Sequence, residues 1–394
     1  MLEVLLEEKN KEEKIALVEN GNLIEYYEEN ESSDRKEGNI YVGTIKDIIV
    51  GMQSAFVDIG TEKNSFIHIK DILPKVDETK NKINKDINIK DLIKQGQKIL
   101  VQIKKDSNEQ KGARVSTHIS IPSKYIVLMP NTDFVTISQK IEDKNEQERL
   151  IKLVKENISK ENGAVIRTSA KGKEKEIIED IKRTEEKWNK IKEKYEQNKN
   201  KSELIYKSES IIQKMLIDLS DNNKLEKIIT NSKKEYETMK EYLKENPNIT
   251  NVKLELSDEN IFEKYDLQKQ IEKIQKRKIW LKCGGFITID KTEALTAIDV
   301  NTGKYTGSKN LNDTIYNVNK EATLEIAKQL RLRDIGGIII IDYIDMTNID
   351  DKNKIENLLK EELKKDRSKT QVEGFTKLDL LEMTRKHICS HKES

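Results

Sequence analysis

The feature that most constrains this chain lies in its C-terminal third. Two strand-like apolar segments each reach an aspartate, and an amphipathic helix separates them. The first reads ALTAID and ends at Asp299; the second reads GIIIID and ends at Asp342. Between them, Ile315, Val318, Ala322, Ile326 and Leu330 recur at helical spacing and define one apolar face. Gly336-Gly337 is expected to end that helix. Strand, helix and apolar strand make a βαβ unit, which requires parallel strands and a right-handed crossover. The run of isoleucines predicts a second strand buried on both faces. Both aspartates then fall at the carboxyl edge, where open α/β sheets bind ligands.

That placement suggests chemistry. A carboxylate at the end of an isoleucine run is costly to bury unless it is paired or holds a metal. Two carboxylates on neighbouring strand ends suit Mg²⁺, which takes one or two of them and keeps most of its waters. Asn301 follows Asp299 by two residues and shares its strand face, so it can ligate or orient the metal's water. Asp345 would point to the opposite face if the strand continued. The plainer alternative is that these aspartates cap turns at strand ends. No Walker A, GxGxxG or HExxH pattern is present.

Upstream, the chain alternates between β-rich and helical stretches. Asn20-Gly21 joins two alternating segments as a β-hairpin, because both turn residues must take positive φ. Between residues 37 and 121, NIYVGTIKDII, SAFVDIG, NSFIHI and KILVQIKK are short, β-branched and turn-separated, as in a small OB-type barrel. A charged insertion occupies residues 71–96. AVIRTSA reads as a strand leaving into a loop. Ile177, Ile181, Trp188, Ile191 and Tyr195 mark a helix over about 173–200. Residues 208–275 read as helices broken at Asn246-Pro247, with a strand at NVKLEL.

Composition adds limits. Of 394 residues, 36% are charged, yet the net charge is only +1, so any basic surface must be local. Two cysteines, Cys283 and Cys389, exclude a disulfide framework. Apolar runs are far short of a membrane span, and the N-terminus is acidic where a secretion signal is basic. The expectation is a soluble cytoplasmic protein with no membrane partner.

WLKCGGFITIDKTEALTAIDVNTG, KQLRLRDIGGIIIIDYIDM and LLEMTRK together resemble the catalytic region of the ribonuclease E/G family. GNIYVGTIKDIIVGMQSAFVDIGTEKNSFIHI resembles that family's S1 domain, QKGARVSTHISIPSKYIVLMP its exit, and GAVIRTSA its 5′-end sensor. The likeness runs over about residues 1–388. It implies a mixed α/β and β multidomain chain: an RNase H-like subdomain split over 1–36 and 211–274, an S1 (OB-type) domain at 37–121, a 5′-sensor region at 122–210, and a DNase I-like α/β catalytic domain at 275–394. It implies a Mg²⁺-dependent endoribonuclease of RNA processing and decay that cuts single-stranded, A/U-rich RNA with metal-activated water and prefers a 5′-monophosphate.

The resemblance also assigns residues. Asp299 and Asp342 match the Mg²⁺ ligands, Asn301 a supporting active-site residue, and Lys369 a basic active-site position. Arg167 and Thr168 match the 5′-monophosphate pair; Phe56, Phe66 and Lys111 match S1 residues that grip RNA. Read without the family, Phe56 could be core and Lys111 an ordinary solvated lysine. Lys104, Lys105, Lys111 and Arg114 would supply the local positive charge that the net charge hides.

Departures from the family pattern bear on assembly and on the sensor. Gln139-Lys140 follows Ser138 where the family usually has two arginines, which removes bidentate donors. The family's CPxC zinc-link is absent, so zinc is doubtful and any homodimer would form without it. The tail carries His387, Cys389 and His391, expected to be a frayed terminus rather than a metal site. The alternative function is an RNA-binding protein with weak or no nuclease activity.

Overall fold

The computed structural model describes residues 2–10, 12–30, 36–72, 87–107, 110–219, 225–247, 249, 252–303 and 311–389. The chain forms two compact units, Met1–Ser33 with Ile211–His391 and Asp34–Ser210 with Lys392–Ser394. No helix among the described residues is long and apolar enough to cross a membrane.

In the first unit, β1 (Leu2–Lys9) pairs antiparallel with β2 (Glu12–Glu19), which turns into β3 (Asn22–Asn30). The turn uses Asn20 at φ 50° and Gly21 at φ 80°, the positive pair that the sequence predicts.

The second unit begins with β4 (Ile40–Ile49), β5 (Ser54–Asp58) and β6 (Ser65–His68). After the short helix α1 (Ile89–Leu92) come β7 (Lys98–Lys105) and β8 (Arg114–Ser116). These strands follow the order β4-β5-β6-β8-β7, and β4 pairs with β7 to close an OB-like barrel. Its interior is filled by Ile45, Val57, Ile67, Val101 and Val115. Most of the expected 71–96 insertion lies outside the described residues.

A mixed sheet follows in the same unit. It is built from β9 (Ile121–Pro122), β10 (Ile126–Pro130), β11 (Val135–Ile137) and β12 (Asn162–Ile166), in the order β11-β12-β10-β9. Helix α2 (Lys144–Asn157), capped by Asp143, precedes β12. Helix α3 (Glu174–Asn198) buries Ile177, Ile181, Trp188 and Ile191 as its periodicity predicts. Strand β13 (Leu204–Tyr206) then pairs with β4.

The chain returns to the first unit through α4 (Ile211–Leu219), β14 (Leu225–Thr230), α5 (Lys233–Glu245) and β15 (Lys253–Leu256). Strand β14 lies inside a stretch that the sequence suggested was largely helical. Its apolar residues gain strand structure by pairing parallel with β1. The resulting sheet runs β15-β14-β1-β2-β3. Helices α6 (Ile261–Lys264) and α7 (Leu267–Ile274) bury Ile261, Phe262, Leu267 and Ile271 against Leu5, Ala16 and Val18.

The last sheet contains β16 (Lys278–Trp280), β17 (Phe286–Lys291), β18 (Leu295–Asn301), β19 (Gly337–Asp342), β20 (Thr370–Phe375) and β21 (Leu380–Arg385). Its order is β16-β17-β18-β19-β21-β20. Helices α8 (Leu311–Leu332) and α9 (Ile349–Leu363) contribute Val318, Ala322, Ile326, Ile355 and Leu359 to a core shared with Ile298, Val300, Ile339, Ile341, Leu381 and Met383. Burying each of the larger side chains is worth about 1.5–3 kcal/mol.

Three expectations need correction. First, β19 is not buried on both faces: Ile339 and Ile341 face the core, while Ile338 is 51% exposed and Asp342 is exposed. Second, α8 ends before Gly336-Gly337, and the left-handed residue after it is Asp334 at φ 45°. Arg385, Ile388 N and Cys389 N all donate to the Asp334 carboxylate, which holds this uncommon conformation. Third, the tail as far as Cys389 is docked rather than frayed. Cys389 is buried among Leu2, Leu216 and Met239, and His387 Nδ1 lies 2.9 Å from Asp334 O. His391 lies outside the described residues.

Candidate active site

Strands β18 and β19 are parallel and in register, with Ile298 opposite Ile341 and Asp299 opposite Asp342. Neighbouring strands lie about 4.8 Å apart, so the two carboxylates stand side by side. Ile298, Val300 and Ile341 point into the core beneath α8 and α9. Alternation therefore sends Asp299, Asn301 and Asp342 to the other, open face. Both aspartates are exposed, so the expected burial cost is reduced to partial burial at Asp342. Mutual repulsion adds to it. Partial burial, Asp299 and Asp345 together raise the pKa of Asp342, in that order. A cation at the pair would relieve that repulsion. Asn301 Nδ2 donates to Asp299 Oδ2 at 2.5 Å and orients that carboxylate. Among the described residues, no set of three or more His, Cys, Asp or Glu side chains is arranged to hold a metal ion.

Helix α8 fixes the loops around the pair through residues that the apolar pattern did not single out. Buried Asn319 accepts from Ile344 N at 3.1 Å and donates to Ile344 O at 2.8 Å, clasping the segment just after Asp342. Buried Thr323 meets Tyr343 Oη at 2.9 Å. Glu321 accepts from the backbone N–H groups of Lys282 and Cys283, holding the LKCGG turn. A Cβ on Gly285 would lie 2.8 Å from Asn301 O, so this turn packs against the end of β18 only with glycine there. The readable signal was a polar residue beside each apolar position of the α8 stripe.

Lys369 is not brought to this pair. It precedes β20, whose Thr370 pairs with Arg385, and Arg385 pairs with Gly337 at the start of β19. Asp342 is at the other end of β19, about 17 Å along the strand. Lys377 instead lies at the carboxyl edge, in the turn joining β20 to β21, whose Leu380 pairs with Asp342.

On the barrel, Phe56 and Phe66 are direct cross-strand partners on β5 and β6. Their rings meet edge to face at 6.4 Å. Phe56 is 37% exposed and Phe66 half-buried, so neither belongs to the core. Phe66 N donates to Ala113 O at 2.8 Å, which brings the exposed Lys111 turn beside this pair. Of the surrounding positive charge, the Arg114 share is offset by a carboxylate, whereas Lys104 meets a neutral amide. Arg114 is engaged by Asp71 at 2.8 and 3.0 Å, and Lys104 Nζ donates to Gln102 Oε1 at 2.7 Å.

The third constellation sits at the carboxyl ends of parallel β11 and β12, where Ile137 pairs with Ile166. Ser138 follows one strand; Arg167 and Thr168 follow the other. Ser138 N donates to Ile166 O at 2.9 Å, and Thr168 Oγ1 donates to Ser138 Oγ at 3.2 Å. Arg167 Nη1 donates to Ser123 O at 2.9 Å, which fixes the guanidinium beside them. Gln139 and Lys140 are exposed at the same edge.

Comparison with known proteins shows the family. Residues 120–388 match the Ribonuclease E/G family. The chain is 41% identical over 391 residues to Ribonuclease G of Escherichia coli (strain K12), spanning 98% of this chain and 79% of that protein. It is 41% identical to Ribonuclease G of Haemophilus influenzae over the same shares. It is 35% identical over 398 residues to Ribonuclease E of Buchnera aphidicola subsp. Schizaphis graminum, covering 99% of this chain and 41% of that protein. With identity sustained along nearly its whole length, the chain belongs to the Ribonuclease E/G family.

Proposed function

We propose that this chain is a Mg²⁺-dependent endoribonuclease of RNA processing and decay in which Asp299 and Asp342 hold the metal. The observation that carries this reading is their in-register pairing on an open sheet face, with Asn301 locked to Asp299. Its relatives are named as ribonucleases, and as a family member it is a hydrolase acting on RNA. The donors fit the ion: two hard carboxylates in reach of water suit Mg²⁺ better than Zn²⁺, which favours nitrogen and sulfur.

Bound there, Mg²⁺ supplies activation of water and neutralisation of charge on the attacked phosphate. Asp299 and Asp342 fix its position, and Asn301 keeps the Asp299 carboxylate from rotating. Water oxygen bonds to phosphorus as the bond to the 3′ oxygen breaks, leaving a 3′-hydroxyl and a 5′-phosphate. Phe56 and Phe66 offer stacking faces to unpaired, A/U-rich RNA, and Lys111 supplies charge for its backbone. Arg167, Thr168 and Ser138 receive a 5′-monophosphate, the arginine giving charge-assisted bonds.

The subdomains follow the same reading. Residues 1–36 with 211–274 form the RNase H-like part, supported by a sheet in which β2 alone runs against its neighbours. Residues 37–121 are the S1 domain, 122–210 the sensor region, and 275–394 the DNase I-like catalytic domain.

The test uses a short single-stranded RNA bearing either a 5′-monophosphate or a 5′-hydroxyl, with and without Mg²⁺. Internal cleavage that needs Mg²⁺ and is faster with the monophosphate is expected. Cleavage blind to the 5′ end would remove the sensor. RNA retention without cleavage at any Mg²⁺ concentration would overturn the nuclease reading for this chain.

A further inference from the structure

The open face of the catalytic sheet carries more than the carboxylates. Cross-strand register aligns Asp342, Asp299, Thr288 and Lys278 in one row over β19, β18, β17 and β16. The next row holds Asn301, Phe286 and Trp280. Residues directly opposite on neighbouring strands share a face, so both rows lie on the side away from α8 and α9. Trp280 is 58% exposed, which leaves a large apolar ring open to solvent. It is nonetheless ordered by its neighbours. Its ring meets Phe286 edge to face at 5.3 Å, and Lys278 Nζ sits 4.2 Å from its centroid and 3.4 Å from that of Phe286.

An exposed indole held by a second ring, with an ammonium beside it, offers a π-face and a positive charge together. Two strand spacings, about 10 Å, separate Trp280 from Asn301. That is the reach of a nucleotide next to a phosphate held at the carboxylate pair. We infer that Trp280, braced by Phe286, is a stacking platform for an unpaired base flanking the cleaved phosphodiester, and that Lys278 meets the phosphate of that nucleotide. The occupant is RNA rather than a second protein chain, because one edge of the row is anionic for the metal and the other cationic for phosphate. The inference rests on the nuclease reading. Trp280, Phe286 and Lys278 are positioning residues for that reaction, and stacking of this kind tolerates any base.

The experiment scans a short single-stranded RNA with a single abasic nucleotide at each position around the cut, comparing the wild-type chain with Trp280→Ala and Trp280→Phe. Stacking predicts one position where loss of the base lowers wild-type kcat/KM by about 5- to 150-fold. Trp280→Ala should show the same loss on intact RNA and no further penalty at that position. Trp280→Phe should recover most of the activity and the penalty. An abasic profile unchanged by Trp280→Ala overturns the platform, as does a Trp280→Ala chain with wild-type kcat/KM. Loss of a concentration-dependent dimer in Trp280→Ala, with each protomer's kcat/KM unchanged, would also overturn it and assign the face to a second copy. These outcomes are separate from failure of the nuclease reading, which would appear as an unimpaired Asp299→Asn variant.

Discussion

Replacing Arg367 with methionine should loosen the N-terminal sheet by an amount set by the charges left behind. Arg367 is inserted between β3 and α4. Its Nε lies 3.1 Å from both Glu25 carboxylate oxygens, its Nη2 lies 2.5 Å from Glu25 Oε2, and its Nη1 lies 2.9 Å from Asp218 Oδ2. Tyr27 Oη also donates to Glu25 at 2.8 Å. Glu25 is 3% exposed, so methionine would fill much of the space but leave a buried carboxylate nearly uncompensated. Breaking a buried pair from one side costs about 3–5 kcal/mol. At about 1.4 kcal/mol per tenfold, hydrogen exchange of the protected β1–β3 amides should accelerate by between about 10² and several times 10³.

The pH dependence has a definite sign. Burial alone would raise the pKa of Glu25, but Arg367 outweighs it and holds the carboxyl below its ordinary value. In the wild type, the stabilisation is present above the unfolded pKa and is lost as pH falls through the depressed folded value. In Arg367→Met only the weaker pull of Tyr27 and Arg385 opposes burial, so the folded pKa rises, and the penalty is greatest near neutrality and shrinks as Glu25 takes up a proton. The deficit measured near pH 7 should therefore narrow near pH 5, and adding Glu25→Gln should restore most of it. A deficit under about 1 kcal/mol, or one that does not change with pH, would refute the reasoning, since 3–5 kcal/mol is expected when one partner of a buried pair is removed.

Other consequences are as specific. Phe56→Ala and Phe66→Ala should each weaken binding of single-stranded RNA by about 1–3 kcal/mol in a fluorescence anisotropy titration, and wild-type affinity in both would remove the barrel's stacking role. Lys111→Ala should lower the slope of log affinity against log salt by about 0.7 for a single strand; an unchanged slope would mean that this lysine meets no phosphate. Asn319→Ala leaves the Ile344 backbone N–H and C=O without that partner, so a stability loss of about 1–3 kcal/mol is expected. It should also lower kcat with little change in KM, because Asp342 is displaced rather than RNA released. A variant that loses stability but keeps full kcat would show that the clasp serves only the fold.

Much of the catalytic sheet was legible because its signals are periodic. The spacing of Val318, Ala322, Ile326 and Leu330 gave the helix, and the apolar runs ending at Asp299 and Asp342 gave parallel strands with both carboxylates at one edge. Asn20-Gly21 fixed its hairpin through backbone sterics alone. What escaped depends on tertiary neighbours. Strand β14 is stabilised by pairing with β1, more than 200 residues earlier in the chain. The left-handed Asp334 is held by Arg385 and two tail amides, where local propensity favoured glycine. The resemblance alone assigned Lys369 a basic active-site position; the antiparallel β20–β21 hairpin carries it to the far end of β19. Isoleucines at 338 and 340 masked the alternation that leaves one face of β19 open. The apolar stripe did not single out Asn319 and Thr323, whose hydrogen bonds to the segment after Asp342 depend on the tertiary fold.

Cleavage by Asp299→Asn and Asp342→Asn, measured alongside RNA binding on the same single-stranded substrate in Mg²⁺, tests the paired carboxylates most directly. Each substitution is nearly isosteric at an exposed strand position, so the fold and the barrel's RNA grip should survive. Loss of cleavage in both variants, with RNA affinity close to wild type, is the predicted result. Cleavage at the wild-type rate in either variant would contradict it and place the chemistry elsewhere on the chain.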